Sequence, residues 1–194
     1  MKKKSLPTGW RPVFLALAAF LIYSCSAKAQ DTPASDMTKA FADAGVPLLK
    51  ETVSIRDFSL PLAEPLSPGG TQSLSALKGR VVFLNFWATW CGPCRSEMPS
   101  MESLHNRYSE RGLEILAVNS GENTPEVLAF MKDNKLSFPT VLDMDGKVTM
   151  TYGVQAIPTS FIINREGRII ARKVGSIDWD SPKVRAALEI LLSE

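Results

Sequence analysis

Two cysteines separated by two residues stand directly behind the largely apolar run 81–90. The chain reads Cys91-Gly92-Pro93-Cys94; the run before this motif is typical of a buried strand, and the segment after it is typical of a helix. A helix that begins here points free backbone N–H groups and its positive dipole end at the first sulfur, which favours thiolate over thiol. In such motifs the cysteine pKa falls from about 8.5 to roughly 3.5–7.5. The spacing predicts a redox-active disulfide in which Cys91 is the nucleophile and Cys94, more buried, resolves the mixed disulfide.

A zinc site is the alternative use of a C-x-x-C pair, and it requires about four ligands. The remaining candidates are Cys25, far upstream, and His105, the single histidine of the chain. On a straight helix His105 would lie about 16 Å along the axis from Cys94, at roughly 1.5 Å per residue, too far for one tetrahedral site. We therefore expect redox chemistry, with no metal site and no cofactor.

The first residues of the chain have the pattern of an export signal. A basic stretch is followed by the apolar run Val13 to Tyr23, which is shorter than the about 20 residues that a membrane-spanning helix needs. Ile22-Tyr23-Ser24-Cys25 is similar to a lipobox, which would end a signal segment at residues 1–25 and leave Cys25 as a lipidated N-terminus after removal of the residues before it. Ala27-Lys28-Ala29 is an A-x-A site, which would end the signal at residue 29 and release a free protein. We favour the lipoprotein form, and both forms predict an extracytoplasmic protein of the periplasm or cell envelope.

The formal net charge of +2 belongs to the leader. Residues 1–24 contain Lys2, Lys3, Lys4 and Arg11 and no acidic residue, so their removal leaves a charge of −2. The remaining surface of mixed charge gives no support for nucleic-acid binding. After processing, the chain has one close-set cysteine pair, which is the pattern of a working disulfide and not of a structural one.

Strand-like and helix-like segments alternate in the second half of the chain, and a hairpin and a helix close it. Residues 26–52 are predicted to be a tether that contains one short helix, 37–44. The folded domain is predicted over residues 53–194. This order of elements predicts an α/β protein with a mixed sheet between helices.

Several separated motifs resemble the thioredoxin-like TlpA/ResA family of thiol–disulfide oxidoreductases, within the AhpC/TSA–redoxin superfamily. In chain order the motifs are Leu84-Asn85-Phe86-Trp87, Ala88-Thr89-Trp90-Cys91-Gly92-Pro93-Cys94, Arg95-Ser96-Glu97-Met98-Pro99, Val118-Asn119-Ser120-Gly121-Glu122, Phe138-Pro139-Thr140-Val141-Leu142-Asp143, Tyr152-Gly153-Val154 and Ile157-Pro158-Thr159. The resemblance covers about residues 53–192. It implies a thioredoxin fold, three layers α/β/α around a central mixed β-sheet, with a βα insertion at 138–152 between the active-site helix and a cis-proline.

The resemblance also implies roles for single residues around the disulfide. Pro158 matches the cis-proline that lies against the cysteines and holds the backbone of Ile157 where a substrate chain can pair with it. Trp90, Gly92 and Pro93 complete the expected substrate-binding surface.

Two further positions concern the movement of protons. Asn85 stands where thioredoxin has a buried aspartate, and asparagine cannot titrate. Glu97 matches the acidic residue of ResA-like active sites, which implies a catalytic role as proton carrier, with a raised pKa if the side chain is buried. The alternative is an exposed glutamate in the first turn of the helix, stabilised by the helix dipole.

The resemblance implies a monomeric reductase of protein disulfides, with apocytochrome c as the candidate substrate and a membrane electron donor of the DsbD/CcdA type. Gly92-Pro93 is the dipeptide of thioredoxin, whose reduction potential is about −270 mV, against about −120 mV for the oxidant DsbA. One alternative is a thiol peroxidase of the AhpC/peroxiredoxin type, but its T-x-x-C spacing is not that of Thr89 and Cys91. The other is a Sco-like copper-binding module, whose C-x-x-x-C spacing the chain lacks.

Overall fold

The computed structural model describes residues 33–63 and 70–194, and the predicted signal peptide with Cys25 lies outside these residues. No helix in the two described ranges is both long and apolar enough to cross a membrane. The elements in chain order are α1 (Pro33–Asp43), β1 (Leu48–Ser54), β2 (Ser59–Pro61), β3 (Thr71–Ser73), β4 (Val81–Trp87), α2 (Gly92–Tyr108), β5 (Leu113–Ser120), α3 (Thr124–Asp133), β6 (Thr140–Asp143), α4 (Lys147–Thr151), β7 (Thr159–Ile163), β8 (Arg168–Val174) and α5 (Pro182–Leu192).

A six-stranded sheet of order β1-β8-β7-β4-β5-β6 forms the centre of the fold. Strand β4 is parallel to β5 and antiparallel to β7, and β6 extends the parallel part at one edge. The sheet is therefore mixed, as expected. All seven residues of β4 are buried, because this central strand is covered on both faces, which explains its continuous apolar sequence.

Helices and turns cover both faces of the sheet, which confirms the expected three layers. Side chains of β4 alternate between the faces, so that Phe83 and Trp87 join one apolar cluster and Leu84 and Phe86 join the other. The first cluster includes buried side chains of α1, α2, α3 and α5; against the second pack side chains of α4 and of the β2–β3 hairpin. Strand β6 and helix α4 occupy the expected insertion between Cys94 and Pro158.

The described residues before position 53 pack against the rest of the domain. Where the sequence suggests a tether over 26–52, the described part forms α1 and most of β1, and β1 pairs antiparallel with β8. Phe41 and Val46 are each 2% exposed in the first apolar cluster. The apolar side of α1 is buried in this cluster, so this segment is part of the core and not a free connection.

Helix α2 is the element that carries the predicted active-site residues. It continues through Pro99 and buries the stripe Met98, Met101, Leu104 and Tyr108. A short 3₁₀ turn follows and ends at Gly112. The φ of Gly112 is 99°, in the left-handed region, which glycine adopts at little energetic cost.

Candidate active site

A disulfide joins Cys91 and Cys94 at the point where β4 leads into α2, with an S–S distance of 2.07 Å. Cys91 is the N-cap of α2, and its Sγ accepts the backbone N–H of Cys94 at 3.2 Å. The open N–H groups and the dipole of the helix favour negative charge on this sulfur when the disulfide is opened. Cys91 is 5% exposed and Cys94 is fully buried, so the two sulfurs differ in accessibility in the expected sense.

The predicted proline lies beside the disulfide. The Ile157–Pro158 peptide bond is cis, and the carbonyl oxygen of Ile157 lies 3.7 Å from Cys91 Sγ. The carbonyl of Pro158 accepts the backbone N–H of Gly175 at 2.8 Å, which ties this loop to the end of β8.

The surface around the two sulfurs is partly apolar and open to solvent. Trp90 is 71% exposed, although it is one of the largest side chains of the protein. Gly92 and Pro93 are also exposed, and Ile157 is half-buried. The residues predicted to bind substrate therefore lie together around the disulfide.

Glu97 lies one turn beyond Cys94 on α2 and is only 1% exposed. Residues three apart on a helix share a face, so Glu97 lies on the inner side with Cys94. It is thus a buried carboxyl, not the exposed first-turn glutamate that was the alternative.

Three hydrogen bonds hold the Glu97 carboxylate. Oε1 accepts from Nδ2 of Asn85 at 2.9 Å, Oε2 accepts from Nε1 of Trp179 at 2.8 Å, and the backbone of Ile177 contributes the third. Burial excludes water and raises the pKa of Glu97 from its ordinary value of 4.5 to about 7, while the three hydrogen bonds oppose this rise. A carboxyl with this pKa gains and loses a proton near neutral pH.

Trp179 closes the site from the loop between β8 and α5. Its side chain is 1% exposed, and its ring packs against Phe83 at a centroid distance of 4.4 Å. Its backbone N–H donates to Ser100 Oγ at 3.0 Å, and the Ser100 hydroxyl donates to the carbonyl of Glu97 at 2.7 Å. Sequence reasoning missed Trp179, since a single tryptophan far along the chain carries no pattern that connects it to Glu97.

Asn85 connects Glu97 to the strand after Pro158. It is fully buried in β4, and its Nδ2 donates both to Glu97 Oε1 and to Ser160 Oγ on β7, each at 2.9 Å. Its Oδ1 is also buried and has no hydrogen-bond partner among residues 33–63 and 70–194.

Glu122 holds the segment between β4 and the disulfide. Its Oε2 accepts the backbone N–H of Thr89 at 2.7 Å and Nδ2 of Asn119 at 2.7 Å, and its Oε1 accepts the Thr89 hydroxyl. The carboxylate therefore ties the residue two positions before Cys91 to the end of β5. The sequence motif that contains Glu122 supported the family resemblance but indicated no role for this residue.

Metal binding has no support in the described part of the chain. Within it, no group of three or more His, Cys, Asp or Glu residues is placed to hold a metal ion.

Comparison with known proteins shows similarity to several thiol–disulfide enzymes. Thiol-disulfide oxidoreductase ResA of Bacillus thuringiensis is 46% identical over 97 residues, which is 50% of this chain and 56% of that protein. The chain therefore spans about half the length of this curated relative.

Solved structures match over a larger share of the chain. A thiol:disulfide interchange protein of the thioredoxin family from Chlorobium tepidum superimposes with a TM-score of 0.60 at 30% identity, covering 72% of this chain and 99% of that one. StoA from Bacillus subtilis superimposes with a TM-score of 0.56 at 30% identity, covering 72% and 97%. The expected thioredoxin fold is confirmed.

The family itself is shown by a match along most of the domain. The Redoxin family model matches residues 34–188, from α1 through the disulfide and the proline loop into α5. The chain belongs to the Redoxin family.

Proposed function

We propose that this protein is a thiol–disulfide oxidoreductase that reduces disulfides of other proteins outside the cytoplasm. The observation that carries the proposal is the Cys91–Cys94 disulfide at the N-terminus of α2, with Cys91 on the more accessible side and the Ile157 backbone beside it. A structural disulfide would not require a helix N-terminus or an open apolar surface around the sulfurs. Similarity to proteins named thiol-disulfide oxidoreductase and thiol:disulfide interchange protein supports the same reaction.

The reaction begins with the reduced protein. The Cys91 thiolate attacks one sulfur of a substrate disulfide, forms a mixed disulfide and releases the other substrate sulfur as a thiolate. The Cys94 thiol then loses its proton to Glu97, and its thiolate attacks Cys91 Sγ. The second substrate sulfur leaves, and the Cys91–Cys94 bond closes with two electrons transferred to the substrate.

Regeneration of the reduced protein reverses these steps. One thiolate of a donor dithiol attacks Cys91, which releases the Cys94 sulfur, and the protonated Glu97 returns its proton to that sulfur. The second donor thiolate then attacks the donor sulfur of this mixed disulfide, so that Cys91 leaves as a thiolate and the donor closes its own disulfide. The pKa of Glu97 near 7 suits both the transfer of the proton from Cys94 and its return to Cys94. A carboxyl with an ordinary pKa would release the proton to water before it could be returned.

The substrate, donor and location are the finer parts of the proposal. We propose apocytochrome c, which presents a C-x-x-C-H haem site, as the substrate, and a membrane protein of the DsbD/CcdA type as the donor. The leader pattern at residues 1–25 supports export, and Cys25 is the proposed point of lipid attachment. Mass spectrometry of the mature protein tests this attachment, because a diacylated cysteine and a start after residue 29 differ in mass.

The reduction potential of the Cys91–Cys94 pair tests the direction of the reaction. It is measured in glutathione or dithiothreitol buffers by the fluorescence of Trp87 and Trp90. A value at or below about −250 mV, close to thioredoxin, is the expected result. A value close to about −120 mV would make the protein a disulfide donor and would contradict the reductase assignment.

The mixed disulfide tests the order of the two cysteines. A Cys94→Ser variant should accumulate a covalent complex through Cys91 with an oxidised peptide that contains C-x-x-C-H. The matched Cys91→Ser variant should accumulate none, because Cys94 is fully buried. Equal trapping by both variants would overturn the assigned roles.

A further inference from the structure

The two oxygens of the Glu97 carboxyl face groups of different chemistry. Oε1 accepts from the side-chain amide of Asn85, and Oε2 accepts from the indole N–H of Trp179. The backbone of Ile177 gives the carboxylate a further hydrogen bond. An amide contains both a donor and an acceptor, whereas an indole nitrogen is a donor only. The two oxygens are therefore not equivalent as sites for a proton.

Oε2 is the oxygen that cannot accept the proton without losing a hydrogen bond. A proton on Oε2 would point at the Trp179 N–H, which has no lone pair to receive it. The indole is not free to turn away, since it packs on Phe83 and its backbone is held by Ser100 Oγ. At 1% exposure it also has no water surface onto which it could rotate.

Oε1 is the oxygen whose partner can adapt. A half-turn of the Asn85 amide exchanges Nδ2 for Oδ1, the buried oxygen that has no partner among the described residues. After this exchange, Oδ1 would accept from a protonated Oε1, and Nδ2 would give up its two present acceptors and move to the position that Oδ1 now occupies. Ser160 Oγ, which now accepts from Nδ2, would become the donor to Oδ1, because a hydroxyl serves in both senses.

We infer that Trp179 is a positioning residue that keeps Oε2 unprotonated and directs the transferred proton to Oε1, where the Asn85 amide reverses to receive it. The unpartnered Oδ1 of Asn85 is then the acceptor that the protonated state uses. This inference rests on the proposed function, in which Glu97 takes the proton of the Cys94 thiol and later returns it.

The test is an NMR titration of the oxidised protein with ¹³C-labelled glutamate side chains, in which Glu97 is identified by its absence from a Glu97→Gln variant. A Trp179→Phe variant removes the donor to Oε2, so the proton affinity of Glu97 should rise about tenfold, because a hydrogen bond to a charged group is lost. Trp87→Phe is the matched control. It removes another fully buried indole, whose Nε1 has no partner in the described ranges, and should leave the titration of Glu97 unchanged.

A second variant keeps the test decisive if Trp179→Phe does not fold. Incorporation of 3-benzothienylalanine at position 179 preserves the two fused rings and replaces the N–H by sulfur. The same rise in proton affinity is expected. The side-chain ¹⁵N resonance of Asn85 should in addition move with the midpoint of Glu97 in the unmodified protein, and a resonance that stays constant through that midpoint would overturn the amide reversal.

The titration and the reaction distinguish two kinds of failure. If the proton affinity of Glu97 does not rise when the Trp179 donor is lost, the inference is wrong, whatever the activity. If it rises and the pH profile of disulfide reduction moves with it, both the inference and the proton role are supported. If it rises while the pH profile stays fixed, Trp179 positions the proton as inferred, and the proposed role of Glu97 in the reaction fails.

Discussion

Replacement of Glu97 by glutamine should make the oxidised protein more stable at neutral pH. The folded protein binds the Glu97 proton more tightly than the unfolded chain does, because burial raises the pKa from 4.5 to about 7. Stability from this group is therefore fully present below pH 4.5 and is lost as the pH rises to about 7. The difference between the two pKa values corresponds to about 3 kcal/mol, at about 1.36 kcal/mol for each pKa unit.

The glutamine variant does not titrate, and its amide can mimic the protonated carboxyl. Its oxygen can accept from Trp179, and its nitrogen can donate to the reversed Asn85 amide. The free energy of unfolding of Glu97→Gln relative to the unmodified protein should therefore increase by about 3 kcal/mol between pH 4.5 and pH 8.

The assay is denaturant unfolding of both oxidised proteins at a series of pH values, followed by circular dichroism. Other groups titrate equally in the two proteins and cancel in the difference. Glu126→Gln, which changes an exposed glutamate on α3, is the matched control and should show no such trend. If the two free energies of unfolding differ by the same amount at every pH, the reasoning is refuted. Ionisation of the buried carboxyl would then not destabilise the folded protein.

Three further variants probe the surface, the loop and the last helix. Trp90→Ala should lower kcat/KM for a protein disulfide about fivefold to tenfold, because an aromatic contact with the substrate is lost. The value for a small disulfide such as oxidised dithiothreitol should change little, and an equal loss for both substrates would contradict a docking role. Glu122→Ala should lower the free energy of unfolding by about 2 kcal/mol, because it leaves the N–H and hydroxyl of Thr89 without their acceptor; an unchanged unfolding midpoint in urea would count against this contact. Ser181→Ala should lower the free energy of unfolding by about 1 kcal/mol, since Ser181 Oγ caps the first turn of α5. Thermal unfolding measures the loss, and a smaller one is expected for Ser193→Ala, because the exposed Ser193 hydroxyl only donates to the Ile190 carbonyl at the other end of the helix.

Local features of the sequence were sufficient to predict the centre of the fold and the position of the disulfide. The run 81–87 has no polar–apolar alternation because β4 is covered on both faces, and a strand that leads into a helix places Cys91 at the helix N-terminus. Both are consequences of residues that are adjacent in the chain. The boundary of the domain was harder to predict, because β1 is an edge strand with mostly exposed side chains and α1 contributes few apolar groups, among them Phe41.

The chemical state of Glu97 could not be predicted from its neighbours in the sequence. On α2 the residue could have been exposed or buried, and the groups that decide are distant in the chain. Trp179, 82 residues away, covers Oε2, and Asn85, 12 residues away on another element, faces Oε1. Only the tertiary packing of the loop after β8 against α2 brings these donors to one carboxyl.

The pKa of Glu97 near neutrality is the result of two opposing effects, and in the proposed reaction this opposition gives the surrounding donors their role. With the same burial and no donors, the carboxyl would remain protonated at neutral pH and could not take a proton from Cys94. With the donors and free access to water, it would remain ionised and could not keep the proton until the sulfur needs it again. Burial beneath Trp179 and donation by the same residue supply both effects together. A change at this one side chain should therefore move the pH at which the carboxyl can serve in both directions of the proposed reaction.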